Sequence, residues 1–489
     1  MTPENTIALI LCLPLFIALG IVVAGRFSDN LREAVTLLGA SALAGLVWSL
    51  LPELMAGERP ALEIGEVLPG LSVAFRVEPL GMLFAALASG LWIINSIYSI
   101  GYMRANREKN QTRFYVCFAL ALWAAMGVAF SANLFTLFLC YELLTLSTYP
   151  LVSHKGDPAT VRSARTYLGI LLGTSIGLFL PAIIWTYHLA GTGDFTVGGI
   201  LEGHISGADV GLLLGLFVFG VGKAALMPVH RWLPAAMVAP TPVSALLHAV
   251  AVVKAGVFAI TKIIVYIFGI DFLFATPSSG WLVYAAAFTI ITASLIALRQ
   301  QNLKRLLAYS TIAQLSYVVM AAAVLKPLAE VGAAVHMMAH AFGKITLFFA
   351  AGAIYTAAKK TEVHQLRGIG RRMPWTMAAF TIGALSMIGV PPTAGFVSKW
   401  YILAGAFQAD NLLVVFTIIA STVLNAAYFL PIIFMAWFAA ETPDGPDHGE
   451  APWLMVFALT ATAMLTLAFF LFNGPVIELE SQLVRGGIQ

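Results

Sequence analysis

Charge is scarce in this chain. Only 10% of its 489 residues are Asp, Glu, Lys or Arg, and 60% are hydrophobic, whereas soluble domains carry about 25% charged residues. That excludes an ordinary soluble enzyme and implies a membrane protein of many spans. Cysteine is nearly missing. Cys12, Cys117 and Cys140 lie in apolar runs and form no CxxC pair, which argues against iron–sulfur, haem and zinc sites. Neither a Walker A loop nor a dinucleotide fingerprint occurs, so direct use of ATP or NADH is not expected. No cofactor, metal or nucleic-acid partner is expected. The expected surroundings are the lipid bilayer. Acids are rarest inside the apolar runs, where Glu142 stands alone.

What is present is a series of long apolar runs. A spanning helix needs about 20 such residues. Fourteen segments meet this, starting near Thr6, Asn30, Pro79, Phe114, Ala132, Thr160, Ala208, Pro242, Ser279, Lys304, Leu328, Pro374, Asn411 and Pro452. The first run, about Ile7 to Val23, lacks a basic leader and a small-residue cleavage site, so a retained helix is expected. Pro52–Arg76 is a polar loop with room for a short hairpin.

Positive charge tests this layout. Loops on one side hold Arg26, Arg32, Arg104, Arg107, Lys109, Arg113, Lys155, Arg162, Arg165, Arg231, Arg299, Lys304, Arg305, Lys359, Lys360, Arg367, Arg371 and Arg372. The other side holds only Arg59, Arg76, Lys326 and Arg485. Both termini are therefore expected outside, away from the cytoplasm. The remaining bases, Lys223, Lys254, Lys262, Lys344 and Lys399, fall within the apolar segments.

Proline marks two breaks. Segment seven is interrupted at Pro228, just after Lys223, and segment twelve at Pro391 and Pro392, just before Lys399. Proline removes a helix hydrogen bond and breaks or kinks the helix. The breaks lie five segments apart, an odd number. Segments four to eight and nine to thirteen then read as two inverted copies of one unit. The organisation expected is 1–110 for the first three helices, 111–270 and 278–440 for the repeats, and 441–489 for helix fourteen and a tail.

Ionisable groups in hydrocarbon are costly and mark function by default. Glu142 and Lys223 are natural partners. A carboxylate moving beside a buried lysine would switch it between holding and releasing a proton; a static bridge between helices is the plain alternative. His248 and Lys254 share segment eight, six residues apart and on different faces, and His248 has a second role open to it as a cap for the broken helix. His336, His340 and Lys344 recur every four residues and form one polar stripe. Such a stripe suits a proton relay, and a metal site would want a carboxylate or thiolate nearby. Lys399 lies inside the second half of the broken segment twelve, with snorkelling to the interface as its alternative. Lys262 looks structural or snorkelling. Together these residues describe a lateral axis with no pocket for anything larger than an ion.

These stretches resemble a known family: the antiporter-like subunits shared by Mrp cation/proton antiporters, the membrane arm of respiratory complex I and energy-converting hydrogenases. The resemblance rests on EPLGMLF…IYSIGYM (78–103), NLFTLFLCYELLTLSTYPL (133–151), KAALMPVHRWLPAAMVAPTPVSALLH (223–248), NLKRLLAYSTIAQLSYVVM (302–320), HMMAHAFGKITLFF (336–349) and IGVPPTAGFVSKW (388–400). It implies an all-α integral membrane protein of 14 helices, two inverted five-helix repeats and broken helices seven and twelve. It pairs Glu142 with Lys223 and places Lys254, His336, His340, Lys344 and Lys399 on the proton path. The run from His340 to Ile402 is most similar to Mrp D-type subunits. Lys399 stands where one complex I subunit type has glutamate, and the chain ends soon after segment fourteen, unlike the largest complex I and Mrp A-type subunits. The resemblance implies a proton-translocating subunit of a multi-subunit Na⁺ (or other monovalent cation)/H⁺ antiporter in a bacterial inner membrane, inactive without its partner subunits. The other function it implies is a proton-pumping subunit of complex I or a membrane-bound hydrogenase.

Overall fold

The computed structural model describes residues 2–68, 70–441 and 448–485. Among them, eleven helices are long and apolar enough to cross a membrane. They run Pro3–Ala24, Asp29–Met55, Pro79–Ala105, Gln111–Phe130, Leu134–Val152, Pro158–Ala190, Pro277–Leu298, Leu303–Ala323, Pro327–Ala358, Leu412–Phe438 and Trp453–Leu471. Their starts fall within a few residues of the sequence expectation. The helices Leu303–Ala323 and Pro327–Ala358 are the most buried and form the centre of the bundle. The first two are half exposed, as a lipid-facing rim would be.

Three further segments are irregular. The helix Ala208–Gly220 stops at Val221, passes through a 3₁₀ turn at Gly222–Ala224 and reverses at Ala225, whose φ is +57°. Short turns at Trp232–Ala235 and Ala236–Val238 follow. The next segment starts at Thr241 and is regular over Val252–Ile263, with π-turns at Leu247–Ala251 and Ile264–Phe268. The helices Pro374–Ile388 and Ala394–Gln408 flank the third irregular stretch. Both breaks carry a cis X–Pro bond, Met227–Pro228 and Pro391–Pro392. Glycines allow the close contacts around them. A Cβ on Gly256 would meet Ala224 N at 2.3 Å, and one on Gly395 would meet Ser386 O at 1.8 Å.

Three features fill in the sequence layout, the first being the short hairpin for which the polar loop Pro52–Arg76 left room. The polar loop contains an antiparallel hairpin, β1 (Ala61–Leu68) with β2 (Leu71–Arg76), in a register that pairs Ala61 with Arg76. It grips the start of the Glu142 helix: Asn133 Nδ2 donates to Ser72 O at 2.9 Å and Ala74 N donates to Thr136 Oγ1 at 3.0 Å. Asn133 Oδ1 meanwhile caps that helix by accepting from Thr136 N at 2.8 Å, satisfying an otherwise orphaned donor. Second, several acids at helix ends are buried, although only Glu142 lies mid-segment. Glu78 pairs with Lys262, Nζ to Oε2 at 2.9 Å, and Glu330 and Glu480 are sealed in with no partner among the described residues. Lys262 also donates to Ser131 O at 2.6 Å, so its role is a buried structural tie and not snorkelling. Third, the expected tail contains a helix, Gly474–Arg485. The end of that tail, 486–489, and the Arg485 side chain lie outside the described residues.

Glu480 on this last helix is fully buried, and burial pushes its carboxyl up to about 8. A carboxyl whose folded pKa is raised adds stability below its unfolded value, and this is lost as pH rises through the folded value. Docking of 474–485 should therefore weaken between about pH 5 and 8. The protection of this helix, taken relative to the intrinsic base-catalysed exchange rate, should fall across that window, and Glu480→Gln should remove that fall.

Candidate functional site

The site is a line of buried bases drawn from several helices. At one end the Leu134–Val152 helix presents Tyr141 and Glu142 to the first break. Lys223 is fully buried there. Its Nζ donates to Tyr141 O at 2.8 Å and sits 3.0 Å from the centre of the Tyr141 ring. The Tyr141 hydroxyl accepts from Lys223 N at 3.1 Å. Carbonyl and ring face together replace part of the water an ammonium loses on burial. Glu142 is within electrostatic reach of Lys223, yet the two make no ion pair. Both Glu142 carboxyl oxygens are buried without a partner among the described residues. The expected pair is thus a proximity and not a contact. Residues 141 and 142 project about 100° apart on a helix, and Tyr141 takes the face that meets the ammonium.

His248 lies at the π-turn of the next segment. Its ring stands edge-on to Tyr167 at 6.0 Å and tilted to Trp232 at 6.2 Å, and neither ring nitrogen has a partner among the described residues. It is not linked to Lys254 by contact, as their different helix faces require. Trp232 Nε1 donates to Gly222 O at 2.9 Å, tying this aromatic cage to the Lys223 break.

The second half is a row of near neighbours in which only Lys254 and His340 are hydrogen-bonded to each other; the Nε2 atoms of His336 and His340 and the Tyr317 hydroxyl have no hydrogen-bond partner among the described residues. Lys254 Nζ contacts His340 Nδ1. The His340 and His336 rings are 6.3 Å apart, one helical turn along the stripe. His336 Nδ1 hydrogen-bonds Ser398 Oγ at 2.8 Å and stacks on Tyr317 at 5.3 Å. The Lys399 ammonium lies 5.3 Å from the same Tyr317 ring, so Tyr317 stands between the two bases. Lys399 donates to Ile388 O at 2.7 Å, Met387 O at 3.3 Å and Thr422 Oγ1 at 3.0 Å. The first two carbonyls are freed by the end of the Pro374–Ile388 helix at the second break. Lys344 leaves the line sideways towards Leu307 O at 3.4 Å.

Lys223 and Lys399 both donate to backbone carbonyls, but differently. Lys399 takes the carbonyls of Met387 and Ile388 at the end of a half-helix, where a broken helix can expose them inside protein. Lys223, itself at the first break, takes Tyr141 O in the uninterrupted Leu134–Val152 helix. Contact does not join Lys223 to the Lys254 line, although Gly256, two residues on from Lys254, packs on the Lys223–Ala224 backbone. Sequence reasoning missed Tyr141, Tyr317, Ser398 and Thr422, which are neutral and leave no charge signal. Glu142 and the buried bases do not form a metal-binding group among the described residues. A lysine touching a histidine, with a second histidine and a second lysine beyond, can hand protons along without moving any larger species.

Fold and site together define a polytopic membrane protein with a line of titratable bases through its centre. The chain belongs to the NADH:quinone oxidoreductase/Mrp antiporter transmembrane family, which matches residues 131–425. It is 31% identical to NADH-quinone oxidoreductase subunit N of Desulforudis audaxviator, over 96% of both chains. It is 32% identical to NAD(P)H-quinone oxidoreductase chain 5 of a Synechocystis species, over 96% of this chain and 77% of the relative. A chain in the structure of the Mrp complex from a Dietzia species shares its fold, with a TM-score of 0.85 at 20% identity, over 98% of this chain and 97% of that one. The chain is accordingly an antiporter-like subunit of the type found in Mrp and respiratory membrane complexes.

Proposed function

We propose that this chain is the proton-translocating subunit of a multi-subunit antiporter that exchanges Na⁺ or another monovalent cation for protons, of the Mrp D type. The observation that carries this is the row Lys254–His340–His336–Tyr317–Lys399, with Lys223 and Glu142 at the other break. Protons enter and leave at the two broken segments and pass along the bases, with His248 and Lys344 beside the path. The D-type assignment is supported by the run from His340 to Ile402. The eleven long helices, with the irregular segments 208–238, 241–268 and 374–408, support a fourteen-span protein. Two inverted repeats, 111–270 and 278–440, follow 1–110 and precede 441–489, with both termini outside a bacterial inner membrane. The asymmetry of Arg and Lys between alternate loops supports that orientation. Neighbouring subunits complete the antiporter and supply the cation site, because Glu142 alone cannot give the several oxygen ligands a hard cation needs.

A second reading is supported by the full-length identity to a quinone oxidoreductase subunit. There the same line pumps protons outward, driven by electron transfer in other subunits.

One experiment separates them. Everted vesicles carry the full native operon in a host without its own antiporters, with redox complexes blocked and the pH gradient set by ATP hydrolysis. Added Na⁺ should collapse the gradient in wild type. Assembled Glu142→Ala and Lys223→Ala complexes should lose about 10²-fold or more of this rate, the range of a group that transfers a proton. No response to Na⁺ in assembled wild type, with proton uptake on adding electron donor once the block is lifted, replaces antiport by redox pumping. Full antiport in both mutants removes Glu142 and Lys223 from the path.

A further inference from the structure

A second charged site lies apart from the line of bases. On the face that carries the Arg- and Lys-rich loops, a cavity of about 200 Å³ opens beside the start of the Leu303–Ala323 helix. Its charged lining is Lys155, Lys304 and Lys360, with Tyr102 and Tyr355 as hydroxyl donors and no carboxylate. None of the three lysines makes an ion pair among the described residues. Lys360 is only 8% exposed and has no hydrogen-bond partner among them. Lys304 donates to Ala239 O at 2.6 Å, and the charge that acts on it is a like one, from Lys155. No acid lines the cavity, and only Glu108 acts on one of its lysines from outside. Glu362 accepts from Asn302 Nδ2 at 3.2 Å, and Glu108 lies outside the lining, facing Lys155 and Lys359.

Three ammonium groups around one small cavity repel each other, most strongly where water is excluded; Lys360 is buried, Lys304 half-buried and Lys155 exposed. An anion in the middle reverses the sign of every pair and accepts charge-assisted hydrogen bonds from all three. The volume is several times the roughly 30 Å³ share of a water molecule, so a tetrahedral oxyanion fits with a few waters. A cationic funnel is also the wrong sign for a proton inlet. We propose that this cavity is a phosphate-binding site, held by Lys155, Lys304 and Lys360. The phosphate comes either from an anionic phospholipid headgroup or from free phosphate. It sits against the joint between Ala239 and Thr241, which leads into the segment carrying His248. The binding site itself does not rest on the transport reading.

The test uses the full chain with its co-purifying subunits, delipidated in phosphate-free buffer and reconstituted in phosphatidylcholine vesicles. The probes are inorganic phosphate and vesicles doped with phosphatidylglycerol. Wild type should hold one extra phosphate group per chain. Lys360→Gln should weaken binding by about 10- to 100-fold, the worth of one charged hydrogen bond, while Lys360→Arg keeps it. Lys155 is exposed, so Lys155→Gln gives the same reading in a variant with no packing to lose. Lys326→Gln, from a loop on the opposite side in the charge layout, should change nothing. Phosphatidylglycerol that resists washing with inorganic phosphate identifies a lipid site; inorganic phosphate that saturates without the lipid identifies a free-phosphate site. Equal binding of both probes by wild type, Lys155→Gln and Lys360→Gln overturns the proposal.

Discussion

Lys254→Arg should leave the complex assembled and stop it transporting. Lys254 is buried against His340. An arginine there keeps the positive charge but stays protonated at any working pH. A base that only holds helices together tolerates that exchange; a base that must give up its proton does not. The expected loss of ion-driven gradient collapse, or of donor-driven proton uptake, is about 10²-fold or more. His340→Ala should lose as much, and the double variant little more, because residues in one network do not add. Transport by Lys254→Arg at the wild-type rate, in complexes of normal subunit content, would show that this contact is only structural.

Gly395→Ala should be strongly destabilising. The new Cβ would stand 1.8 Å from Ser386 O, across the second break. Gly395 N also donates to Ser386 Oγ at 3.1 Å, so the two half-helices meet backbone to backbone. Opening this joint moves the carbonyls of Met387 and Ile388 off Lys399. Overpacking costs about 1–3 kcal/mol and occasionally more, and backbone atoms cannot rotate away, so about 3 kcal/mol or more is expected. Thermal unfolding in detergent, followed by fluorescence, should show a clear fall in the transition temperature. Gly173→Ala, where a Cβ meets nothing within 4 Å, should be neutral or mildly stabilising. Equal transitions for the two variants would mean that the joint is looser than its geometry.

Much of this was legible in the residues, for identifiable reasons. Apolar runs fix where helices begin, because hydrocarbon tolerates little else. Proline announced the breaks at Pro228 and at Pro391 and Pro392, since it cannot supply the missing hydrogen bond. The spacing of His336, His340 and Lys344 put them on one stripe. What stayed hidden depends on partners far away in sequence. Tyr317 lies between His336 and Lys399 on a separate helix, and nothing in its own neighbourhood says so. Glu78 looked like a residue at a helix end until Lys262 closed on it. The sequence pairs Glu142 with Lys223, but the side of the helix facing the ammonium belongs to Tyr141. One residue of rotation separates the two outcomes, and sequence does not fix helix rotation that finely.

The helix Pro327–Ala358 has 32 residues, a length of about 48 Å at 1.5 Å per residue. The hydrocarbon layer is about 30 Å thick. Centred on that layer, the helix puts Lys344 within about 2 Å of the midplane and His336 about 10 Å to one side. A proton arriving at Lys344 has then crossed about half of the transmembrane voltage, worth about 1.2 kcal/mol per 100 mV. The occupancy of this stripe is thereby a function of membrane potential as well as of pH. The helix acts as a voltage divider with its taps spaced one turn apart.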